Sequence, residues 1–421
     1  MSPSLPYDAV VLGAGVAGLT AATRLAEGGA RVCVLAKGVG STHLAPGTID
    51  VLGYSPERVH SPAGALPGFV AAHPDHPYAL IGADTIAPAL HWFASRIERG
   101  PHPAYGYSGD LGRNHLLPTA AGAIRPSALV PETMAGGELS AGTPVCVVGI
   151  RVLRDFHASL CAGNLRRAGI PSRAVEVDVE VGRIEANAPL LARRFDDGSF
   201  RAAFAARLAL LLRPSERVGL PAILGLRDPH GAWSDLQHRL GRPVFEIPTL
   251  PPSAPGIRVY DALRAALRAA GGRLVLGAEA FDGRREGDRI SAVRAHTSGH
   301  DTMFETSWVV LATGGLHSGA IELRSDWSAH ETVLGLPLHG VPAAGQPRFA
   351  ADYFGPQPMS RVGVAVDASL LALETENVFV AGAALPGAEP WREGSGEGIA
   401  LASGCTVAQA VLEREGAIAA A

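Results

Sequence analysis

The chain has 421 residues, 36 Lys+Arg against 40 Asp+Glu (net charge −4), 18% charged and 47% hydrophobic residues. This balance excludes a basic nucleic-acid binder and a disordered acidic chain, and it suits a folded enzyme long enough for two domains. Cys33, Cys146, Cys161 and Cys405 are scattered without a C-x-x-C pair, which excludes a disulfide scaffold, a zinc site and iron–sulfur ligation and points to a reducing compartment.

In chain order, residues 8–37 read DAVVLGAGVAGLTAATRLAEGGARVCVLAK. The run 9–12 predicts a buried strand, 17–27 a helix with Leu19, Ala22 and Leu25 on one side, and 31–35 a second strand. Between the first strand and the helix stand Gly13, Gly15 and Gly18 as G-x-G-x-x-G. In this context Gly13 makes the tight turn, Gly15 admits a phosphate to the backbone, and Gly18 lets helix and strand approach. The helix N-terminus then offers N–H groups and a positive dipole end to that phosphate.

A dinucleotide unit of this kind usually ends its second strand in Asp or Glu, which holds a ribose hydroxyl. Ala36 and Lys37 stand there instead, which argues against a simple NAD site. Lys37 is the one lysine in the chain. At the strand end it is a candidate point charge for a cofactor phosphate. Residues 37–54, KGVGSTHLAPGTIDVLGY, follow as a loop with small side chains, in which Ser41, Thr42 and Gly47 are candidate ligand contacts. His43 in the same loop is a candidate polar contact, acid/base group or covalent cofactor link.

Residues 56–144 are rich in Pro, Gly and His and predict a single helix at 87–99. A second α/β unit follows: strand 145–149, helix 156–169 and strand 173–179, with a one-glycine turn that reads as scaffold. Helices are expected at 190–196, 200–212 and 233–240, and strand pieces at 221–226 and 244–247. The most apolar stretch, 202–212, is broken by Arg207 and falls short of the roughly 18 residues a spanning helix needs. Residues 248–274 carry an amphipathic helix with Val259, Leu263 and Leu267 on its apolar stripe. Short strands at 274–281, 289–296 and 303–305 predict a meander, and 307–312 predicts a buried strand ending in ATGG, with Thr313 and Gly314 at its tip. Near the C-terminus, strand 378–381 turns at Gly382. Gly394, Gly396 and Gly398 then precede a helix that starts at Ile399. This second glycine-lined helix start could stabilise a carbonyl that gains negative charge on reduction.

Together, the G-x-G-x-x-G unit, STHLAPGTID, ATGG and ENVFVAG…GSGEGIALASG resemble the two-domain flavoproteins of the fumarate reductase and succinate dehydrogenase type. The longer phrases HLAPGTIDVL, HPDHPYALIG, VCVVGIRVLRDFHASL, PTLPPSAPGIR and YFGPQP resemble the B-subunit family of anaerobic glycerol-3-phosphate dehydrogenase, over nearly the whole chain. The resemblance implies an α/β, Rossmann-like flavin domain that is discontinuous (1–60, 250–320, 360–421), with an inserted α/β or α+β domain (61–249, 321–359). It implies oxidation of sn-glycerol 3-phosphate to dihydroxyacetone phosphate, with electrons passed to quinone. FMN is the cofactor it implies, and FAD is the alternative from the motif. The implied partners are a catalytic A-type chain and an iron–sulfur C-type chain of the same complex. The latter would hold the pair at the inner face of the cytoplasmic membrane. No nucleic acid or metal ion is implied.

At the flavin, Gly382, Gly396, Gly398 and Ile399 are expected near the pyrimidine edge. Arg258, Arg361 and Arg392 are weak candidates for phosphate binding or catalysis. Two other readings stay open: a self-sufficient oxidoreductase of the fumarate reductase or aspartate oxidase kind, and a flavin-binding assembly protein without catalysis.

Overall fold

The computed structural model describes residues 6–180 and 186–420. Tyr7–Leu12 forms the first strand, Val16–Glu27 the helix after the glycine turn, and Val32–Ala36 the second strand. The strands run parallel, with Ala9 opposite Val32 and Leu12 opposite Leu35. Every residue of the second strand is buried, so it shows a continuous apolar run rather than alternation.

After Ala36 the chain leaves this sheet and returns more than two hundred residues later. The return helix, Ala254–Ala269, leads into Arg273–Leu276, which adds in parallel beside the second strand. Glu279–Glu286, Arg289–Thr297 and His300–Leu311 then form an antiparallel meander. The segments expected separately at 303–305 and 307–312 are one strand, His300–Leu311. Its first half pairs with the meander, and its second half runs parallel to the first strand, Thr306 opposite Tyr7 and Leu311 opposite Leu12. The polar Glu305-Thr306-Ser307 run hid this continuity, because the strand changes partners there. Val378–Val380 completes the sheet on the other side of Val309–Leu311, and the C-terminal helix is Gly396–Ala420.

A second sheet, wholly parallel, has the order Val244–Ile247, Arg217–Pro221, Val145–Ile150, Ser172–Val177. Helices Ala158–Arg167, Ala188–Phe195, Gly198–Ala209 and Pro229–Leu240 connect its strands. The strand piece expected at 221–226 lies earlier, at Arg217–Pro221. Arg217 masked it: this buried arginine gives its guanidinium to the carbonyls of Gly136, Glu138 and Thr143.

Two apolar cores accompany the two sheets. The second spans Leu139 to Ile247. The first takes in the sheet built on Tyr7–Leu12 and also Leu66, Phe69, Tyr78, Leu90 and Phe93. The segment 61–249 therefore contributes to both cores. Besides Ile86–Glu98, its early part contains two helices without a clear signal in the sequence, Pro62–Ala72 and Pro77–Ile81. Each begins on a proline, where the missing N–H costs nothing, and each is capped by a side chain, Ser61 or His76. Residues 321–359 join neither core fully: Ile321 packs with Met359 and Val362 in a small cluster of its own.

Candidate flavin site

The C-terminal ends of the first strand, of His300–Leu311 and of Val378–Val380 meet at the glycine turn. Gly13 has φ +111°, and a Cβ there would overlap the carbonyl oxygen of Ala312. A Cβ on Gly18 would overlap the carbonyl oxygen of Gly13. Around Gly15 the space is open, with nothing within 4 Å of where a Cβ would stand. Gly13 and Gly18 are thus set by packing inside the protein, while Gly15 leaves room for something else. Gly15 also starts the helix without a side-chain cap, so the first-turn N–H groups remain available to an anion.

The loop after the second strand folds back onto this turn. At Gly40 a Cβ would lie 3.0 Å from the backbone N and Cα of Gly15. Ser41 is exposed, whereas Thr42 is 3% exposed and its Oγ1 has no hydrogen-bond partner. The His43 carbonyl accepts from the Ser253 N–H at 2.9 Å, and its ring meets Tyr260 edge-on at 4.8 Å. Its Nε2 is buried without a partner. Burial lowers the His43 pKa against the pull of Asp261, with Arg264 adding to the decrease, so the ring is neutral near pH 7. Gly47 packs against Pro255 and accepts from the Tyr107 hydroxyl, so it anchors the loop to the return helix.

From the other strand ends, Thr313 brings a second buried hydroxyl without a partner. Gly314 is closed in by Ser318. The Gly382 N–H donates to Ser403 Oγ at 2.9 Å, and its Cα faces Ala17. At the C-terminal helix, the place of a Gly398 side chain is filled by the Tyr78 hydroxyl, and the Gly398 N–H already donates to the Asp50 carbonyl at 3.0 Å. Ile399 is buried in the core, which leaves Gly396 as the more open position of this helix start.

The charged candidates are each engaged by other protein groups. Arg258 is fully buried, and its guanidinium is saturated by Glu246 (2.7 and 2.9 Å) and the carbonyls of Leu224 and Gly225. It ties the return helix to the second sheet from a fully buried position. Arg361 pairs with Glu389 at 3.3 Å, and Arg392 donates to the Phe354 carbonyl at 3.1 Å. Lys37, 77% exposed, pairs with Glu279 at 2.7 Å. The pair is exposed on both sides. A cleft of about 570 Å³, lined by Tyr7, Arg273, Gly277, Thr302 and Glu305 among others, runs along the Arg273–Leu276 edge of the sheet and contains none of the selected residues.

One cluster has no signature in the sequence. Asp50 is 1% exposed; Thr48 Oγ1 donates to its Oδ1 at 3.0 Å, and Arg125 Nε donates to its Oδ2 at 2.6 Å. Glu397, in the first turn of the C-terminal helix, faces this pair. Burial, then the charge of Asp50, push its pKa up to about 7 against the opposing pull of Arg125. Asp50 is visible in GTID and Glu397 in GSGEG, but Arg125 comes from the hairpin strand Ile124–Ser127 and nothing local links it to them. Among the described residues no group of three or more His, Cys, Asp or Glu is placed to hold a metal ion, and no helix is long and apolar enough to cross a membrane.

Residues 8–399 match the FAD binding domain family. The B subunit of anaerobic glycerol-3-phosphate dehydrogenase from Pectobacterium atrosepticum is 32% identical, over 97% of this chain and 99% of that protein. The probable B subunit of the same enzyme from Halobacterium salinarum is also 32% identical, over the same shares. Among solved structures, a variant of E. coli quinol fumarate reductase FrdA is 9% identical, with a TM-score of 0.48, over 98% of this chain and 71% of that one. The strand–glycine turn–helix unit, the discontinuous sheet with its meander and the end-to-end sequence likeness agree: the chain belongs to the B-subunit family of anaerobic glycerol-3-phosphate dehydrogenase and is an FAD-binding-type flavoprotein.

Proposed function

We propose that this chain is the flavin-bearing B subunit of a complex that oxidises sn-glycerol 3-phosphate to dihydroxyacetone phosphate and passes the electrons to quinone. A catalytic A-type chain is its partner, and an iron–sulfur C-type chain links the pair to the inner face of the cytoplasmic membrane. The observation that carries this reading is the 32% identity to a B subunit of that enzyme over 97% of the chain.

The residues at the glycine turn fit a flavin. The open space at Gly15 and the uncapped helix start suit its phosphate, and the buried hydroxyls of Thr42 and Thr313 lack partners that a ligand would supply. The flavin, when bound, supplies the two-electron chemistry that no side chain here offers. The chain's own part is to hold the phosphate on backbone amides, to give hydroxyl donors at Thr42 and Thr313, and to set the start of the C-terminal helix, at Gly396, where negative charge develops. Gly13, Gly18, Gly47, Gly314, Gly382, Gly398 and Ile399 shape the cavity by packing.

FAD is the flavin we favour. The acid missing from the end of the second strand is supplied from elsewhere: the Gly277 and Ala278 N–H groups both bond the Ala36 carbonyl, and this turn carries Glu279 to the strand end beside Lys37. A carboxylate there suits an adenosine ribose, which FMN lacks. FMN, implied by the family resemblance, is the second reading.

The test is to purify the chain alone and with its catalytic partner, identify and count the released flavin, and assay glycerol 3-phosphate oxidation in both. One flavin per chain and turnover only in the complex are expected. Turnover by the chain alone at about 1 s⁻¹ or more would make it self-sufficient, and a chain without flavin would refute the reading.

A further inference from the structure

The C-terminal helix is packed against both strand ends and loop of the glycine turn. A Cβ on Gly404 would stand 2.7 Å from the Ala17 carbonyl oxygen, and Ser403 Oγ accepts from the Gly382 N–H beyond strand Val378–Val380. Nearer its start, the Gly398 N–H donates to the carbonyl of Asp50, in the loop that folds back over Gly15. Among the described residues no protein group accepts from the Gly396 N–H. The backbone just before this open donor is gripped by Glu393, whose side chain is 12% exposed. Its Oε2 accepts from Ser395 Oγ at 2.7 Å and from His76 Nε2 at 3.1 Å, and its Oε1 accepts from the Glu389 N–H at 2.8 Å. The Tyr78 N–H donates to His76 Nδ1 at 3.1 Å, so the ring carries its proton on Nε2, toward the carboxylate. The Glu393 carbonyl accepts from the N–H groups of Gly53 and Tyr54 at 2.7 and 2.9 Å. Glu389, itself buried, is bonded in turn by the Gln357 N–H at 2.9 Å and paired with Arg361 at 3.3 Å. Glu393 thus joins the loop after the second strand, His76, the 321–359 segment and the helix start.

We propose that Glu393 is a positioning residue for the flavin: it fixes the backbone of Gly394, Ser395 and Gly396 so that the Gly396 N–H stays aimed where the reduced cofactor carries negative charge. The inference rests on the reading that the flavin lies between the glycine turn and the start of the C-terminal helix. Glu393 acts through that helix start and is not itself a contact of the cofactor. Its three donors come from three different residues, so together they leave the carboxylate one place to stand. A donor already in place when charge develops costs no reorganisation. Loosening it weakens the hold on the reduced flavin more than on the oxidised one. Reach, not charge, decides the effect. A glutamine at this position keeps an oxygen for Ser395 and His76 and gives up only the Glu389 N–H. An aspartate keeps the charge but is one methylene shorter and cannot span all three donors.

The test is a potentiometric titration, at one pH, of the flavin bound to the purified full chain for wild type, Glu393→Asp, Glu393→Gln and Ser395→Ala. Glu393→Asp should favour the reduced flavin about tenfold less than wild type does, which for two electrons lowers the potential by about 30 mV. Glu393→Gln should stay closer to wild type than Glu393→Asp does. Ser395→Ala, which removes one of the three donors, should shift the potential in the same direction by less. A wild-type potential in Glu393→Asp would overturn the inference while leaving the flavin site intact. So would a raised potential in Glu393→Gln beside an unshifted Glu393→Asp, because the carboxylate would then act by its charge alone. Should Glu393→Asp fail to fold or to keep flavin, Ser395→Ala decides: a lowered potential supports the inference, and an unchanged one refutes it. A wild-type chain that binds no flavin would overturn the site reading beneath it, and the inference with it.

Discussion

Two helix starts in this protein are lined with glycine, and they use it in opposite ways. At Val16–Glu27 the central glycine, Gly15, faces open space, and the helix has no side-chain cap. At Gly396–Ala420 the corresponding space at Gly398 is filled by Tyr78, and its N–H is bonded to Asp50. In sequence the two look alike. The difference is what occupies the place of the missing Cβ: nothing at the first, protein at the second. At Gly15 the open space lies at an uncapped helix start, where an anion is favoured, whereas at Gly398 the hydroxyl marks close packing.

The sharpest way to break this comparison is to add a Cβ at positions of each kind. Gly13→Ala should be the most damaging, because the residue has a positive φ and the new carbon meets a backbone oxygen that cannot move aside. A loss of about 4 kcal/mol or more is expected, read as a failure to fold or a large drop in denaturation midpoint. Gly15→Val should behave differently. The backbone at Gly15 is extended with φ −75°, so the flavin-free protein should lose no more than about 1 kcal/mol, yet bind flavin at least about tenfold more weakly. Normal flavin content in that variant would mean the phosphate lies elsewhere.

At the second helix start the effect should be smaller and reparable. Gly398→Ala forces the Tyr78 hydroxyl away from the carbonyls of Val51 and Ser395, at a cost of about 1–3 kcal/mol. Removing that hydroxyl with Tyr78→Phe should make room, so the double variant should be more stable than the sum of the single losses by about 0.5 kcal/mol or more. Strict additivity in chemical denaturation would show that Gly398 is not a packing glycine. The smallest effect is expected at Lys37→Ala. Its ion pair with Glu279 is exposed, so the change in stability should stay within about 0.5–1 kcal/mol. Flavin retention on a desalting column should match wild type; marked loss of flavin would restore a phosphate role for this lysine.

Local pattern carried the amino-terminal unit almost unaided. Apolar runs bounded by glycine located the strands Tyr7–Leu12 and Val32–Ala36 and the helix between them, because buried parallel strands need apolar residues whatever segment pairs with them. Val145–Ile150 and Val244–Ile247 were legible for the same reason. Elements whose polar residues are satisfied from a distance were not. Arg217 disguised a buried strand, and the partner switch at Thr306 divided one long strand into two.

The sequence by itself determined the fold class, the family and the glycine turn, since these rest on backbone geometry that only certain residues permit at fixed spacing. Tertiary structure alone decided which side chains remain available. It saturated Arg258 against Glu246 and engaged Lys37 with Glu279, and it gathered Asp50, Arg125 and Glu397 from segments far apart in the chain. The physical reason is that a charged side chain's role depends on which opposite charge or dipole reaches it first. Partners separated by many tens of residues are chosen by packing, and no local pattern records that choice.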